Sequence, residues 1–291
     1  MVKAKITVLS DNNTDNIKLK NEHGLSLIIN FENKNMLFDC SQTTAFIENA
    51  DVLNIDLKII DKIILSHGHY DHTGGLKELL VKLNRNIDIY AHPLIFEKKY
   101  SIDSGQSEKN DTPIESRYVG SKFDKETYER YGAKFILNVE PYYLSEGLIL
   151  TGLVPMENDF EKVEESFYKK ITIAQNEECY IKDNMEDDNS LILKDASSIA
   201  VITGCAHRGI INIINYAIKL TGIRKIKALI GGFHLKNSGE NLIERTIREL
   251  SKFDIDLIVP MHCTGSYASK KIKEEFGGRC IIGYCGLDIK I

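Results

Sequence analysis

Several things are scarce or missing in this chain of 291 residues, and each absence narrows what it can be. None of the six cysteines, Cys40, Cys179, Cys205, Cys263, Cys280 and Cys285, forms a CxxC pair, so neither a zinc ribbon nor a thioredoxin-type redox site is signalled. They read as reduced, mostly buried thiols. No apolar run approaches the ~20 residues of a membrane span. The N-terminal MVKAKITVLSDNN carries too short an apolar run for a signal peptide and reads as a first strand, so a soluble cytoplasmic protein is expected. There is no cationic excess: 37 Lys and Arg against 42 Asp and Glu give a formal charge of -5, which argues against nucleic acid as a partner. No internal repeat, GxSxG, P-loop or Ser-His-Asp order is found. Prolines number only five and histidines only eight.

What is present is an alternation of short Ile/Val/Leu runs with helical patterns. Strands are predicted at VKAKITVLSDN, LSLIINFENKNMLFDC, LKIIDKIILSHGH, IDIYAHP, LILTGL, NSLILKD, SIAVITGCAH, IKALIGGFH and IDLIVPMHC. Helices are predicted at TTAFIENAD, GGLKELLVKL, GIINIINYAIKL, ENLIERTIRELSKF and ASKKIKEEF. This is a layered α/β domain spanning 1–291. Residues 95–147 are polar, charged and aromatic with little strand pattern, and read as an ordered cap-like insertion. The acidic run 176–189 reads as a solvated loop.

Three of the eight histidines crowd into SHGHYDHTGG at 66–75. In an extended segment His67 and His69 point the same way, so both can reach one metal. Asp71 and His72, at the turn into a helix, are placed to serve a second. Imidazole and carboxylate donors suit zinc, iron or manganese, in one or two divalent ions. Crowding three imidazoles and a carboxylate without a cation would cost several kcal/mol. Gly68, Gly74 and Gly75 are expected to let the backbone turn tightly. IILSHGH, AVITGCAH, LIGGFH and LIVPMH each run a strand into a histidine, so His67, His207, His234 and His262 are expected at one edge of one sheet. His92 reads as an ordinary core or surface histidine.

HxHxDH followed by Gly-Gly resembles the signature of the metallo-β-lactamase superfamily. Its other landmarks occur in order: Asp39 in MLFDCS, His207 in TGCAHRG and His262 in VPMHCTG. The resemblance implies a four-layer αββα sandwich with metals at one edge. It implies His67, His69 and His207 on a first metal and Asp71, His72 and His262 on a second, with Asp39 hydrogen-bonded behind a ligand histidine. The sequence departs from that pattern at IGGFHL, where His234 stands in place of a bridging aspartate.

EHGLS, GCAHRGIINI, GGFHL and HCTG together resemble the subfamily that includes a dihydropterin-methyl-ribofuranosylaminobenzene phosphate synthase of methanopterin biosynthesis. This implies a phosphorylated or pyrophosphorylated small-molecule substrate, with pyrophosphate displaced by an aminobenzene ribosyl phosphate or a phosphoester hydrolysed. Asp71 and His234 are the candidate catalytic residues. His23 at the rim, Arg208 at a helix start and Thr264 after the last histidine are the candidate substrate contacts. Cys205 and Cys263 are assigned to packing behind the ligands. The rival readings are a phosphodiesterase or nuclease and a non-catalytic metal-bound ligand sensor; a symmetric homodimer is the default assembly.

Overall fold

The computed structural model describes residues 3–102, 116–173 and 177–291. Its strands, in chain order, are β1 (Ala4–Ser10), β2 (Ser26–Phe31), β3 (Lys34–Phe38), β4 (Lys62–Ile64), β5 (Ile87–Ala91), β6 (Lys98–Ile102), β7 (Ser116–Tyr118), β8 (Ala133–Leu137), β9 (Tyr142–Ser145), β10 (Leu148–Leu150), β11 (Phe167–Thr172), β12 (Glu178–Lys182), β13 (Leu191–Lys194), β14 (Ile199–Thr203), β15 (Ile226–Gly231), β16 (Ile258–Pro260) and β17 (Asp288–Lys290). The helices are α1 (Ala45–Val52), α2 (Tyr70–Thr73), α3 (Leu76–Leu83), α4 (Lys125–Arg130), α5 (Ile210–Thr221), α6 (Glu240–Leu250) and α7 (Ser266–Phe276).

Two sheets form the sandwich, ordered β17-β1-β2-β3-β4-β5-β8 and β16-β15-β14-β13-β10-β9. Alternation along the strands decides which layer each side chain enters. Leu191, Leu193, Ala200, Ile202, Ala228 and Ile230 face Ile6, Val8, Leu27, Ile29, Met36 and Phe38 of the first sheet. Their neighbours Ile192, Val201 and Leu229 point the other way, onto α5, α6 and α7. On the far side Leu9, Ile28 and Leu37 pack under α1 and α3 through Phe46, Leu76, Leu79 and Leu80. The four layers αββα follow directly, and double-faced burial explains why these strands read as unbroken apolar runs.

The histidines do not all follow strands of one sheet. His67 follows β4 of the first sheet, whereas His207, His234 and His262 follow β14, β15 and β16 of the second. The cluster therefore lies where two sheets meet, and a sequence cannot reveal that partition because both sheets carry the same apolar signature.

Residues 95–147 also differ from expectation. The range contains β6, β7 and α4, while β8 and β9 belong to the two main sheets. The cap is a four-stranded sheet, β12-β11-β6-β7, half of it supplied by residues 167–182. Residues 103–115 of the expected insertion lie outside the described residues. The acidic run likewise is not a solvated loop: residues 178–182 form β12, and Asp183, Asp187 and Asp188 are buried, while residue 176 lies outside the described residues.

The reason for that burial is Lys99 on β6, only 1% exposed, whose Nζ lies 2.7 Å from Asp183 Oδ2 and 2.9 Å from Asp187 Oδ1. Burial alone would lower the ammonium's pKa, but the two carboxylates outweigh it and hold it above the usual lysine range. Asp187 spends its other oxygen on the backbone N–H of Gly68, 2.8 Å away. Two more bonds fix the same loop: Tyr70 N–H to Val119 O at 2.9 Å and Asn189 N–H to Ser66 O at 2.9 Å. Lys99→Ala should therefore destabilise the protein by about 3–5 kcal/mol, because two carboxylates would be left buried without a cation. Urea denaturation measures it, and a loss under about 1 kcal/mol would show that the pair of aspartates is not held as described.

Candidate metal centre

After β4 the chain stays extended to His69, which has ψ 149°, and then makes the single turn α2. The extension puts His67 and His69 on one side, and the turn brings Asp71 and His72 round to the same edge. The glycines are needed for close approach rather than for turning. Gly74 and Gly75 have ordinary φ values of -64° and -94°. A Cβ on Gly74 would sit 2.1 Å from Gln42 O, and one on Gly68 2.3 Å from Ile95 O.

His67 and His72 are fully buried, and His69, Asp71, His207 and His262 are at most 6% exposed. His67 Nε2 lies 3.0 Å from His69 Nδ1 and 3.2 Å from His207 Nε2. His72 Nε2 lies 3.2 Å from His262 Nε2. Asp71 Oδ2 is 3.2 Å from His262 Nε2, 3.6 Å from His72 Nε2 and 3.2 Å from His23 Nε2. Burial holds the pKa of His67 and His207 well below the usual histidine value and brings His69 down to about 3. Burial would raise the Asp71 carboxyl, but His72, His23 and His262 outweigh it and keep it ionised.

The residues behind the cluster settle the tautomers. Asp39, with φ +61°, accepts from Ser66 N–H at 2.7 Å, from Ser66 Oγ at 2.7 Å and from His72 Nδ1 at 2.6 Å. Having given its proton to Asp39, Ser66 Oγ can only accept from His67 Nδ1, 2.9 Å away. Asn12 Oδ1 accepts from His262 Nδ1 at 2.9 Å. His67, His72 and His262 are thus each hydrogen-bonded at Nδ1 and turn Nε2 towards one another. Among the described residues, His69 Nε2 and His207 Nδ1 are buried without a hydrogen-bond partner. Imidazole nitrogens and a carboxylate converging in one buried site fit a cation. Among the described residues, the donor atoms of His67, Cys205 and His207, and those of His72, Cys205 and His262, lie within 4.8 Å of one another.

Above the cluster is a cavity of about 400 Å³ walled by His23, Tyr70, Arg117, Phe167, His234 and Lys236, so the cap sheet forms one side of it. The Phe167 ring stands 4.9 Å from that of His69 and 5.2 Å from that of His207. His23 is one of the residues lining the cavity. Arg208 does not line the cavity: Nη1 donates to Asn184 O at 2.7 Å, Nε donates to Val154 O, and no phosphate-binding role follows from that geometry. Thr264 is fully buried, its Oγ1 accepting from Phe233 N–H at 3.0 Å, and it closes the short turn His262–Thr264 after β16 rather than lining the cavity.

Sequence reasoning missed Arg117, Lys236, Phe167 and Glu164, which lie in loops or cap strands with no chemical signature. It also missed Asp11, whose Oδ2 accepts from His262 N–H at 2.8 Å. That aspartate follows a strand as Asp39 does, and the likeness was available in VLSDN.

His234 Nε2 lies 2.9 Å from Glu164 Oε2. Burial pulls the imidazole down, but hydrogen bonds with Cys263 and Glu164 outweigh it and bring its pKa up to about 10. His234, at the cavity wall, is thus biased towards its protonated form.

The chain is similar to several known proteins. Residues 20–147 match the model of the Metallo-beta-lactamase superfamily. The chain is 36% identical over 266 residues to the 7,8-dihydropterin-6-methyl-4-(beta-D-ribofuranosyl)-aminobenzene-5'-phosphate synthase of Methanocaldococcus jannaschii, covering 88% of this chain and 85% of that one. It is 28% identical over 187 residues to Ribonuclease Z of Nanoarchaeum equitans, covering 64% of this chain and 54% of that one. The crystal structure of Tm1679, described as a metal-dependent hydrolase of the beta-lactamase superfamily, superposes with a TM-score of 0.79 at 29% identity over 99% of each chain.

Because the raised pKa of His234 favours its charged form in the folded state, its contribution to stability is complete below the unfolded value of 6.5 and is lost as pH rises through about 10. In metal-free protein Glu164→Gln should lower the His234 midpoint by about 1–3 pH units, the usual effect of removing an adjacent carboxylate. Histidine NMR titration reads this directly, and an unmoved midpoint would discard Glu164 as the cause.

Proposed function

This chain belongs to the metallo-beta-lactamase superfamily, and from that premise we propose that it is a metal-dependent enzyme acting on a phosphorylated or pyrophosphorylated small molecule. The observation that carries the reading is the set of buried imidazoles, each hydrogen-bonded at Nδ1 and facing one another through Nε2, beneath a cavity with a cationic rim. His67, His69 and His207 would hold one divalent metal, and Asp71, His72 and His262 a second. Zinc, iron and manganese all suit such donors. When bound, the metals would polarise phosphoryl oxygens and offset the charge that builds as a phosphate group departs.

The chain's own residues supply the rest. Asp39 and Ser66 hold His67 and His72 in the ligating tautomer. Arg117 and Lys236 place two cations at the cavity wall, where Arg208 is not, to take phosphate oxygens. Phe167 and Tyr70 offer aromatic surface for a flat ring. His234, held beside Glu164 at the cavity wall, can offset the charge that builds on a leaving oxygen. His23, bonded to Asp71, stands at the rim.

Within this class we favour a pyrophosphate-displacing condensation of the dihydropterin type. The named activity of the 36% identical synthase supports it, as does the aromatic and cationic lining. The second reading, a phosphodiesterase or ribonuclease, draws on the resemblance to Ribonuclease Z and is opposed by the net charge of -5.

The test is a pair of measurements on protein purified without chelator. Elemental mass spectrometry should find one to two metal equivalents per chain, and pterin methyl pyrophosphate with an aminobenzene ribosyl phosphate should release pyrophosphate. His69→Ala should lose metal and turnover together. Turnover surviving in a metal-free variant would sink the proposal, and salt-sensitive cleavage of RNA with no pyrophosphate release would move it to the second reading.

A further inference from the structure

The superfamily pattern puts a shared carboxylate between the two metals, and here that position holds His234. Something else must join the two halves. His234 is not suited to do so: Nε2 is 2.9 Å from Glu164, and the residue is grouped with Cys205 and Cys263 but with neither histidine set. Asp71 is grouped with His23 and His262 on one side only. No carboxylate of the described residues is grouped with His67 and His207.

Cys205 does reach both halves. Its donor atom is grouped with His67 and His207, and again with His72 and His262, each set within 4.8 Å. The sulfur lies 3.1 Å from His72 Nε2, one of the inward-facing nitrogens, and the residue lines the cavity while being only 3% exposed. Its backbone is held closely. Gly204, immediately before it, is packed so tightly that a Cβ would meet Ser66 Oγ at 2.1 Å, and Ala206, immediately after, has φ +56°. Ser66 is the residue that orients His67, so thiol and imidazole are registered through one contact.

We propose that Cys205 Sγ is the ligand shared by the two metals, in place of the missing carboxylate; this rests on the reading that the histidines hold metal. A thiolate bridge carries one negative charge into a set that is otherwise neutral on the His67 side, and it biases the site towards zinc or iron over manganese or magnesium. Cys263 is the competing sulfur, grouped with Cys205 and His234 but with neither histidine set.

Cobalt(II) loading separates the two thiols. The loaded wild-type protein should show an intense near-ultraviolet sulfur-to-cobalt charge-transfer band. Cys205→Ser should lose that band, and Cys263→Ser should keep it. A band that survives in Cys205→Ser, or a fully loaded wild type without one, overturns the proposal. If Cys205→Ser does not fold, X-ray absorption of zinc-loaded Cys263→Ser decides. Sulfur at about 2.3 Å from zinc supports the bridge, and a purely nitrogen and oxygen shell overturns it. Metal bound without sulfur sinks only the role of Cys205, whereas no metal bound at all sinks the metal reading beneath it.

Discussion

The structure at the sheet edge depends on one constraint: the ring nitrogens of several imidazoles are held about 3 Å apart in a buried site. Such an arrangement is unfavourable unless the scaffold prevents the rings from turning away. It does so from behind, with Asp39, Ser66 and Asn12 each taking an Nδ1 proton or relaying the bond. Those three residues sit at the ends of β3, β4 and β1. The interior of the sandwich is therefore what positions the donors, through strand ends rather than through loops free to relax.

The two halves of the site differ electrically. Around His72 and His262 lie Asp71, Asp39 and Asp11, whereas among the described residues no carboxylate is grouped with His67 and His207. Burial would lower His72, yet Asp39 and Asp71 raise it above the ordinary histidine value, so it is the more basic donor of the pair of sets. The His67 side is built from the weakest bases in the cluster. A cation there would gain less from its ligands' charge, and any anionic donor it shares with the other side would matter more.

Much of this was legible in the residues. The HxHxDH spacing and the strands that end in His207 and His262 pointed to the edge, and period-two alternation separated the inner from the outer layers. What escaped notice did so for physical reasons. Two sheets buried on both faces carry the same apolar signature, so the strands could not be divided between them. Lys99 and its two aspartates are more than eighty residues apart, and each alone looks like a surface charge. Arg208 looked like an anion site because it opens a helix, yet two backbone carbonyls occupy its guanidinium. The glycines were noticed for the wrong property: they make room for neighbouring carbonyl oxygens.

The pairing of Lys99 with Asp183 and Asp187 also bears on how this scaffold could diversify. A cap joined only by its covalent ends could be exchanged for another, giving a new pocket on an old metal centre. Here the cap's lysine neutralises the aspartate that grips Gly68. A transplanted cap would have to bring its own buried cation to the same spot, or the loop bearing His67 and His69 would lose its anchor. Pocket and metal centre are thus bound to be inherited together.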